Sequence, residues 1–312
     1  MPRDRRLPQP KRIREVTHAP TILVTGARGQ LGYELAAALG AHGNVVALDR
    51  AALDLADRES VVKTVRAIAP ALIVNAAAYT AVDRAEQERD IAFAVNADAP
   101  AILAQEAKRL NAVVIHYSTD YVFDGAQQIP YDENVTPNPL NAYGETKLAG
   151  ERAIAASGTA AIVLRTSWVY GLRGSNFLLT IRRLASERDE LRVVADQIGV
   201  PNWSRSLAKA TAILVGRGMP YLAERTGVYH MSAGGHTTWY EFARAIVGEG
   251  TRARIIPIAT AEYPTPSSRP AYGVLNTGKF ERTFGLTLPH WQTALQSCVT
   301  SPAEPPNSPA VG

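Results

Sequence analysis

Short runs rich in β-branched and aliphatic residues recur through the first half of the chain, at 21–25 (TILVT), 44–48 (NVVAL), 71–75 (ALIVN), 112–118 (AVVIHYS) and 160–166 (AAIVLRT). Longer amphipathic stretches separate them. Each run is apolar almost throughout instead of alternating, as parallel strands are when helices cover both of their faces. The pattern predicts βαβ units wound into an open, doubly wound parallel sheet. Past about residue 170 the rhythm is lost: the spacing predicts a helix at 176–187, a strand at 191–194, a helix at 206–217, a strand at 228–231 and short mixed elements to about 300. We therefore expect an α/β protein with a larger sheet domain (21–170 plus about 203–232) and a smaller mixed α/β domain (about 171–202 and 233–300). Residues 1–20 and 301–312 are expected to be disordered tails.

The first run leads into Thr25-Gly26-Ala27-Arg28-Gly29-Gln30-Leu31-Gly32, a G-x-x-G-x-x-G turn opening a predicted helix at 31–39. Gly26, Gly29 and Gly32 let backbone approach a pyrophosphate at a helix N-terminus, where free N–H groups and the helix dipole favour negative charge. The next run ends near Asp49, at the separation where an acid meets a ribose hydroxyl. Together these predict a dinucleotide on a Rossmann-type sheet, with a purely structural turn as the alternative. Asp49 suits a free ribose 2′-hydroxyl, whereas Arg28 and Arg50 suit a 2′-phosphate, so NADH and NADPH both stay open. Asp54 and Leu55 flank the adenine on one reading; on the other, an acid here merely caps a helix. The small residues of Asn75-Ala76-Ala77-Ala78-Tyr79-Thr80 let backbone lie along the ribose and nicotinamide, unless they serve only tight packing.

The chemistry is signalled by Tyr143-Gly144-Glu145-Thr146-Lys147 on a helix predicted over 142–156. Spacing of i and i+4 puts both side chains on one face. A tyrosine titrates at about 10, so it needs help to exchange a proton at neutral pH, and a neighbouring ammonium stabilises its phenolate. Such a pair also arises by chance on exposed helix faces. It gains specificity from Tyr117-Ser118-Thr119-Asp120-Tyr121, which places hydroxyls at the carboxyl edge of the fourth strand, where open α/β sheets bind ligands.

In these segments, and in 75–83, 118–123, 141–147, 165–170 and Arg269-Pro270, the chain resembles the extended short-chain dehydrogenases/reductases, most nearly those that reduce nucleotide-activated keto sugars. The likeness spans about 21–286. It implies that Gly29, Gln30, Leu31, Asp49, Asp54, Leu55, Ala78, Tyr79, Thr80, Tyr117 and Lys147 line NADPH or NADH. It also implies that Thr119, Asp120 and Trp168 face the sugar nucleotide, and we place Tyr121, Gln197 and Arg269 with them. The implied reaction is hydride transfer to the C4 keto carbon of dTDP-4-dehydro-L-rhamnose, giving dTDP-L-rhamnose for cell-surface polysaccharide. Tyr143 would donate the proton, Lys147 would lower the tyrosine pKa and hold the ribose, and Thr119 would bond the developing alkoxide.

Each substrate-side assignment has a plainer alternative. Trp168 follows an apolar strand and suits a core, and Arg269, otherwise a diphosphate contact, suits a surface salt bridge. Gln197 lies in Asp196–Pro201, similar to the family's loop near the substrate, yet Asn202 stands where threonine is more usual. Some relatives hold magnesium between subunits through glutamates, one at the position of Glu34. Arg205 stands where a second falls and would repel a cation, so we expect a monomer or weak homodimer and doubt a Mg2+ site.

Two rivals share the scaffold. A 4,6-dehydratase or epimerase is one, but a dehydratase typically carries Thr-Asp-Glu where this chain has Thr119-Asp120-Tyr121. A non-catalytic regulatory subunit is the other, and it could lose any of Thr119, Tyr143 and Lys147, which are all present.

Composition narrows the setting. With 46% hydrophobic and 20% charged residues the chain can bury a full core, and it has neither a membrane-length apolar run nor the apolar stretch of a secretory signal. We expect a cytoplasmic protein without a membrane partner. The single cysteine, Cys298, has no internal disulfide partner, and the six histidines show no ligand spacing, so no metal site is assigned. Arg3, Arg5, Arg6, Lys11, Arg12 and Arg14, against Asp4 and Glu15, account for the whole formal net charge of +4. The rest of the chain is balanced, which argues against nucleic acid as a partner.

Overall fold

The computed structural model describes residues 19–248 and 252–301. The basic cluster of the N-terminal segment and nearly all of the proline-rich C-terminal one lie outside the described residues. The strands are β1 (Thr21–Thr25), β2 (Asn44–Leu48), β3 (Leu72–Asn75), β4 (Val113–Thr119), β5 (Ala161–Thr166), β6 (Val169–Tyr170), β7 (Glu190–Val194), β8 (Ile198–Gly199), β9 (Asn202–Trp203), β10 (Gly227–His230), β11 (Thr237–Thr238) and β12 (Arg254–Ile258). The helices are α1 (Gln30–Leu39), α2 (Arg58–Ile68), α3 (Val82–Ala85), α4 (Arg89–Phe93), α5 (Ala99–Leu110), α6 (Ala142–Ser157), α7 (Phe177–Glu187), α8 (Ser204–Val215), α9 (Met219–Ala223), α10 (Trp239–Val247), α11 (Gly278–Phe284) and α12 (Trp291–Thr300).

Six strands form one parallel sheet in the order β10-β5-β4-β3-β1-β2. Side chains alternate across it. Ile22 and Val24 pack on one face with Leu35 of α1 and Leu207 of α8. Leu23 packs on the other with Val61 of α2, Leu103 of α5 and Ile154 of α6. Both faces are dry, which is why these runs read as continuously apolar. The chain reverses direction across the sheet between β1 and β3, and this switch opens a crevice at the carboxyl ends of the strands.

Beyond β5 a smaller lobe gathers around Leu178, Leu191, Phe242 and Trp291, with Cys298 buried among them. Its pairings are short: β7 with β12 in parallel and β8 with β11 antiparallel. The helix expected at 206–217 begins at Ser204 and ends at Val215. A π-helical turn at Ala94–Asp98 joins α4 to α5 and has no counterpart in the sequence pattern. It falls just ahead of Pro100, whose ring removes an amide donor that an unbroken α-helix needs.

Candidate active site

A cleft of about 530 Å³ lies along the carboxyl ends of the sheet. Gly26, Gly29, Gln30, Leu31, Asp49, Arg50, Asp54, Leu55, Ala78, Tyr79, Thr80, Tyr117, Tyr143 and Lys147 all line it. Gly32 sits behind them, where a Cβ would lie 2.1 Å from the Gly26 carbonyl oxygen. Gly26 itself has φ +72°, and a Cβ there would come within 2.9 Å of the Ala77 Cα. The turn therefore has to be glycine to fold back on the sheet and on α1. Gln30 Oε1, Ser118 Oγ and Thr166 Oγ1, all on residues lining the cleft, are buried without a hydrogen-bond partner. Unpaired buried polar atoms call for an occupant, and together with the first-turn N–H groups of α1 they fit a dinucleotide.

Just past β2, Asp49 Oδ1 accepts from Ala51 N and Ala52 N at 3.0 Å each, while Oδ2 pairs with Arg28 Nε at 2.7 Å. Arg50 stands 3.9 Å from Asp54. Asp57, not Asp54, caps α2, by accepting from Ser60 N. Nearer α6, Asn96 of the π-turn fastens the loop after β3: its Oδ1 accepts from Tyr79 N (2.8 Å), and its Nδ2 donates to Tyr79 O (3.0 Å) and Thr146 Oγ1 of α6 (3.1 Å). The loop and α6 are thus fastened by one side chain.

Asn141 caps α6 by accepting from Gly144 N, which puts Tyr143 in the first turn and Lys147 one turn further in. Lys147 is 2% exposed, and Nζ donates to Tyr117 O at 2.6 Å and lies 3.2 Å from His116 Nε2. Burial lowers its pKa to about 8, against the opposing charge of Glu151. Glu151, one turn on, accepts from Nε and Nη2 of buried Arg165. Tyr143 is pushed up to about 12, chiefly by burial, with Thr119's hydroxyl opposing and the charge of Asp120 adding.

Thr119 Oγ1 donates to Asp120 Oδ1 at 3.1 Å and also neighbours Tyr143. Having one proton, it serves either the carboxylate or the phenol. Asp120 is buried, with its pKa raised by desolvation to about 7 despite that bond. Tyr121 meets Tyr143 edge-on, ring centres 5.7 Å apart. Tyr143, Thr119 and Asp120 therefore gather three protic groups at one sheet edge, an arrangement able to deliver a proton to a carbonyl oxygen.

The remaining candidates are more spread out. Tyr117 turns its phenol away to Thr211 on α8 (2.5 Å) and offers Lys147 only its carbonyl. Trp168 holds φ +41°, a left-handed conformation rare for a bulky residue, and stacks on Trp239 at 3.5 Å with its indole over Gly199. Gln197 donates to Thr260 (3.1 Å), which Asp196 also holds. Arg269 is in the salt bridge its plainer reading anticipates, with Asp83 at 2.9 Å; desolvation opposes ionisation of Asp83, but Arg269 holds its pKa below the usual value. Asn202 is wholly buried, donating to Ser167 O and Val200 O and accepting from Ala233 N, so it braces the wall and does not face the cleft. Glu34 pairs with Arg205 at 2.9 Å. Asn96, Thr166 and His116 carry no spacing signal and emerge only from the fold.

The fold and this cleft are those of the extended short-chain dehydrogenase/reductase class. Within it, the sequence model described as RmlD substrate binding domain matches residues 20–303, and the chain belongs to that family. A dTDP-4-dehydrorhamnose reductase of Burkholderia thailandensis is 46% identical over 290 residues, covering 89% of this chain and 97% of the relative. One from Escherichia coli is 46% identical over 289 residues, covering 88% and 95%. The crystal structure of a dTDP-4-dehydrorhamnose reductase from Bacillus anthracis in complex with NADP superposes with a TM-score of 0.85 at 34% identity, covering 90% of this chain and 98% of that one.

Proposed function

We propose that this protein is a dTDP-4-dehydrorhamnose reductase, reducing the C4 keto group of dTDP-4-dehydro-L-rhamnose to give dTDP-L-rhamnose with NADPH or NADH. The observation that carries the reading is Tyr143 beside Thr119 at the carboxyl edge of β4, with Lys147 one turn further along α6, on a cleft whose unpaired groups suit a dinucleotide. Family membership supplies the substrate class. The bound reduced nicotinamide supplies the hydride. Tyr143 donates its proton to the carbonyl oxygen, and Thr119 steadies that oxygen as charge develops on it. Lys147 holds the nicotinamide ribose and returns a proton to the Tyr143 phenolate. Trp168, Asp120 and Tyr121 border the sugar. Arg269 reaches the diphosphate by exchanging Asp83 for it, and Gln197 steadies the loop around the sugar.

We place the enzyme in the cytoplasm, as a monomer or weak homodimer without bridging magnesium, because Arg205 already neutralises Glu34. Among the described residues no helix is long and apolar enough to cross a membrane. The test follows nicotinamide absorbance while the protein is given freshly made dTDP-4-dehydro-L-rhamnose with each coenzyme. Sugar-dependent oxidation that disappears in Tyr143→Phe supports the assignment. No turnover, with coenzyme still bound, refutes it.

A further inference from the structure

Behind the cleft, a chain of buried polar side chains crosses three strands of the sheet and ends on Lys147. Ala77 N lies 3.4 Å from Thr25 Oγ1 on β1, and that hydroxyl donates to Asn75 Oδ1 on β3 at 2.6 Å. Asn75 Nδ2 is 3.0 Å from His116 Nδ1 on β4, and His116 Nε2 is 3.2 Å from Lys147 Nζ. Thr25, Asn75, His116 and Lys147 are each no more than 2% exposed. Burial screens these groups from bulk water, so their protons are assigned within the chain.

The assignment follows link by link. An amide oxygen only accepts, so Thr25 donates to Asn75. An amide nitrogen only donates, so His116 Nδ1 accepts and carries no proton. A neutral imidazole then carries its proton on Nε2, facing Nζ, and an amine accepts a hydrogen bond only through a free lone pair. Burial pushes the His116 pKa well below its ordinary value, which keeps the ring neutral. The titratable groups around the chain are Lys147, Tyr143 and Glu151 on α6, with Glu151 tied to Arg165 of β5, and Tyr117 and Asp120 at the end of β4. β1 and β3 contribute only neutral residues.

We propose that His116 is a positioning residue for Lys147: fixed as the Nε2–H tautomer by Asn75 and Thr25, it donates to the lysine lone pair and stabilises the uncharged amine. The functional side of this inference rests on the reading of Tyr143 and Lys147 as the catalytic pair. An amine whose ammonium is disfavoured releases its proton readily, which suits a group that must hand one back to the Tyr143 phenolate and recover it from solvent.

The direct test is nitrogen NMR of the full-length protein with ¹⁵N-labelled histidine rings, the His116 signal being assigned by its loss in His116→Asn. The expected result is a neutral ring protonated on Nε2 throughout the neutral range. A ring protonated on Nδ1, or a positively charged ring, would overturn the proposal. This readout needs no substrate, so it stands or fails separately from the reductase assignment. The kinetic arm uses Thr25→Val, an isosteric cut at a residue that does not itself line the cleft, and His116→Gln, whose amide can donate again to Nζ. The limb of the pH–rate profile that reports Lys147 should move up by roughly 0.5 pH unit or more in Thr25→Val, as expected for one hydrogen bond lost, and return towards wild type in His116→Gln. A Thr25→Val profile that overlays wild type, with only stability altered, would reduce the chain to a packing device.

Discussion

Arg205 Nε lies 2.9 Å from Glu34 Oε2, an ion pair that ties the first turn of α8 to α1 with both side chains largely screened from solvent. The guanidinium also lies over the Trp203 ring. A carboxylate already matched by an arginine is a poor ligand for a divalent cation. We predict that neither magnesium nor a chelator changes the protein's sedimentation, whereas Arg205→Glu, which sets two carboxylates facing one another, makes self-association magnesium-dependent. Arg205→Ala should cost roughly 1–2 kcal/mol in denaturant unfolding, since it strands Glu34. Magnesium-dependent dimers of the unaltered chain would refute this account.

Gly32 is held against the Gly26 carbonyl so closely that an added Cβ would lie 2.1 Å from that oxygen, and the obstacle is backbone, which cannot swing aside. Gly32→Ala should therefore abolish measurable coenzyme binding and destabilise the protein by roughly 1–3 kcal/mol, the usual cost of overpacking. Gly285 is the control: it has φ +59° but open space around it. Gly285→Ala should lose only about 1 kcal/mol of stability and bind coenzyme normally. Calorimetric titration with NADPH separates the two, and equal affinity in both variants would refute the close-approach argument.

How much of this was legible in advance follows from what each signal depends on. The strands β1–β5 are readable because burial on both faces makes them continuous apolar runs. The glycine turn and the Tyr143–Lys147 pair are readable because backbone approach and helical spacing are local. Nothing local marks β6, β8, β9 and β11, each two residues long, or the π-turn that carries Asn96. His116 and Asn75 are 41 residues apart, and Asn96 and Thr146 are 50 apart. Their roles exist only once the sheet has brought them together. Trp168 illustrates the same limit: a stacking partner at Trp239 and a left-handed backbone cannot be inferred from its neighbours in sequence.

Arg165 and Glu151 form a bidentate pair in which each side chain is only 4% exposed. Removing one charge leaves the other buried and uncompensated, which typically costs about 3–5 kcal/mol. Glu151→Gln should therefore lower the urea midpoint sharply. Its charge also opposes the burial-driven lowering of the Lys147 pKa, so the limb of the pH–rate profile that reports Lys147 should move down. A shift upwards would show that Glu151 does not act on Lys147 through its charge.

Asp120 gives the molecule a pH dependence with a definite sign. Its folded pKa, about 7, lies above the unfolded value of 3.8, because burial penalises the carboxylate more than Thr119's hydrogen bond favours it. Between those two values the folded protein binds the proton and the unfolded chain does not, so this group's contribution to stability falls as pH rises from about 4 to about 7. Asp120→Asn keeps the shape and removes the ionisation. The variant should be more stable than wild type at pH 8 by on the order of 2–4 kcal/mol, and the gap should close as pH falls below the unfolded value. Turnover should drop at the same time, because the amide cannot exchange a proton as the carboxyl group beside Thr119 can. Chemical unfolding at a series of pH values measures the first effect. A gap of constant size across the series would mean that Asp120 stays ionised in the fold, with its charge met by a partner that Thr119 alone does not supply.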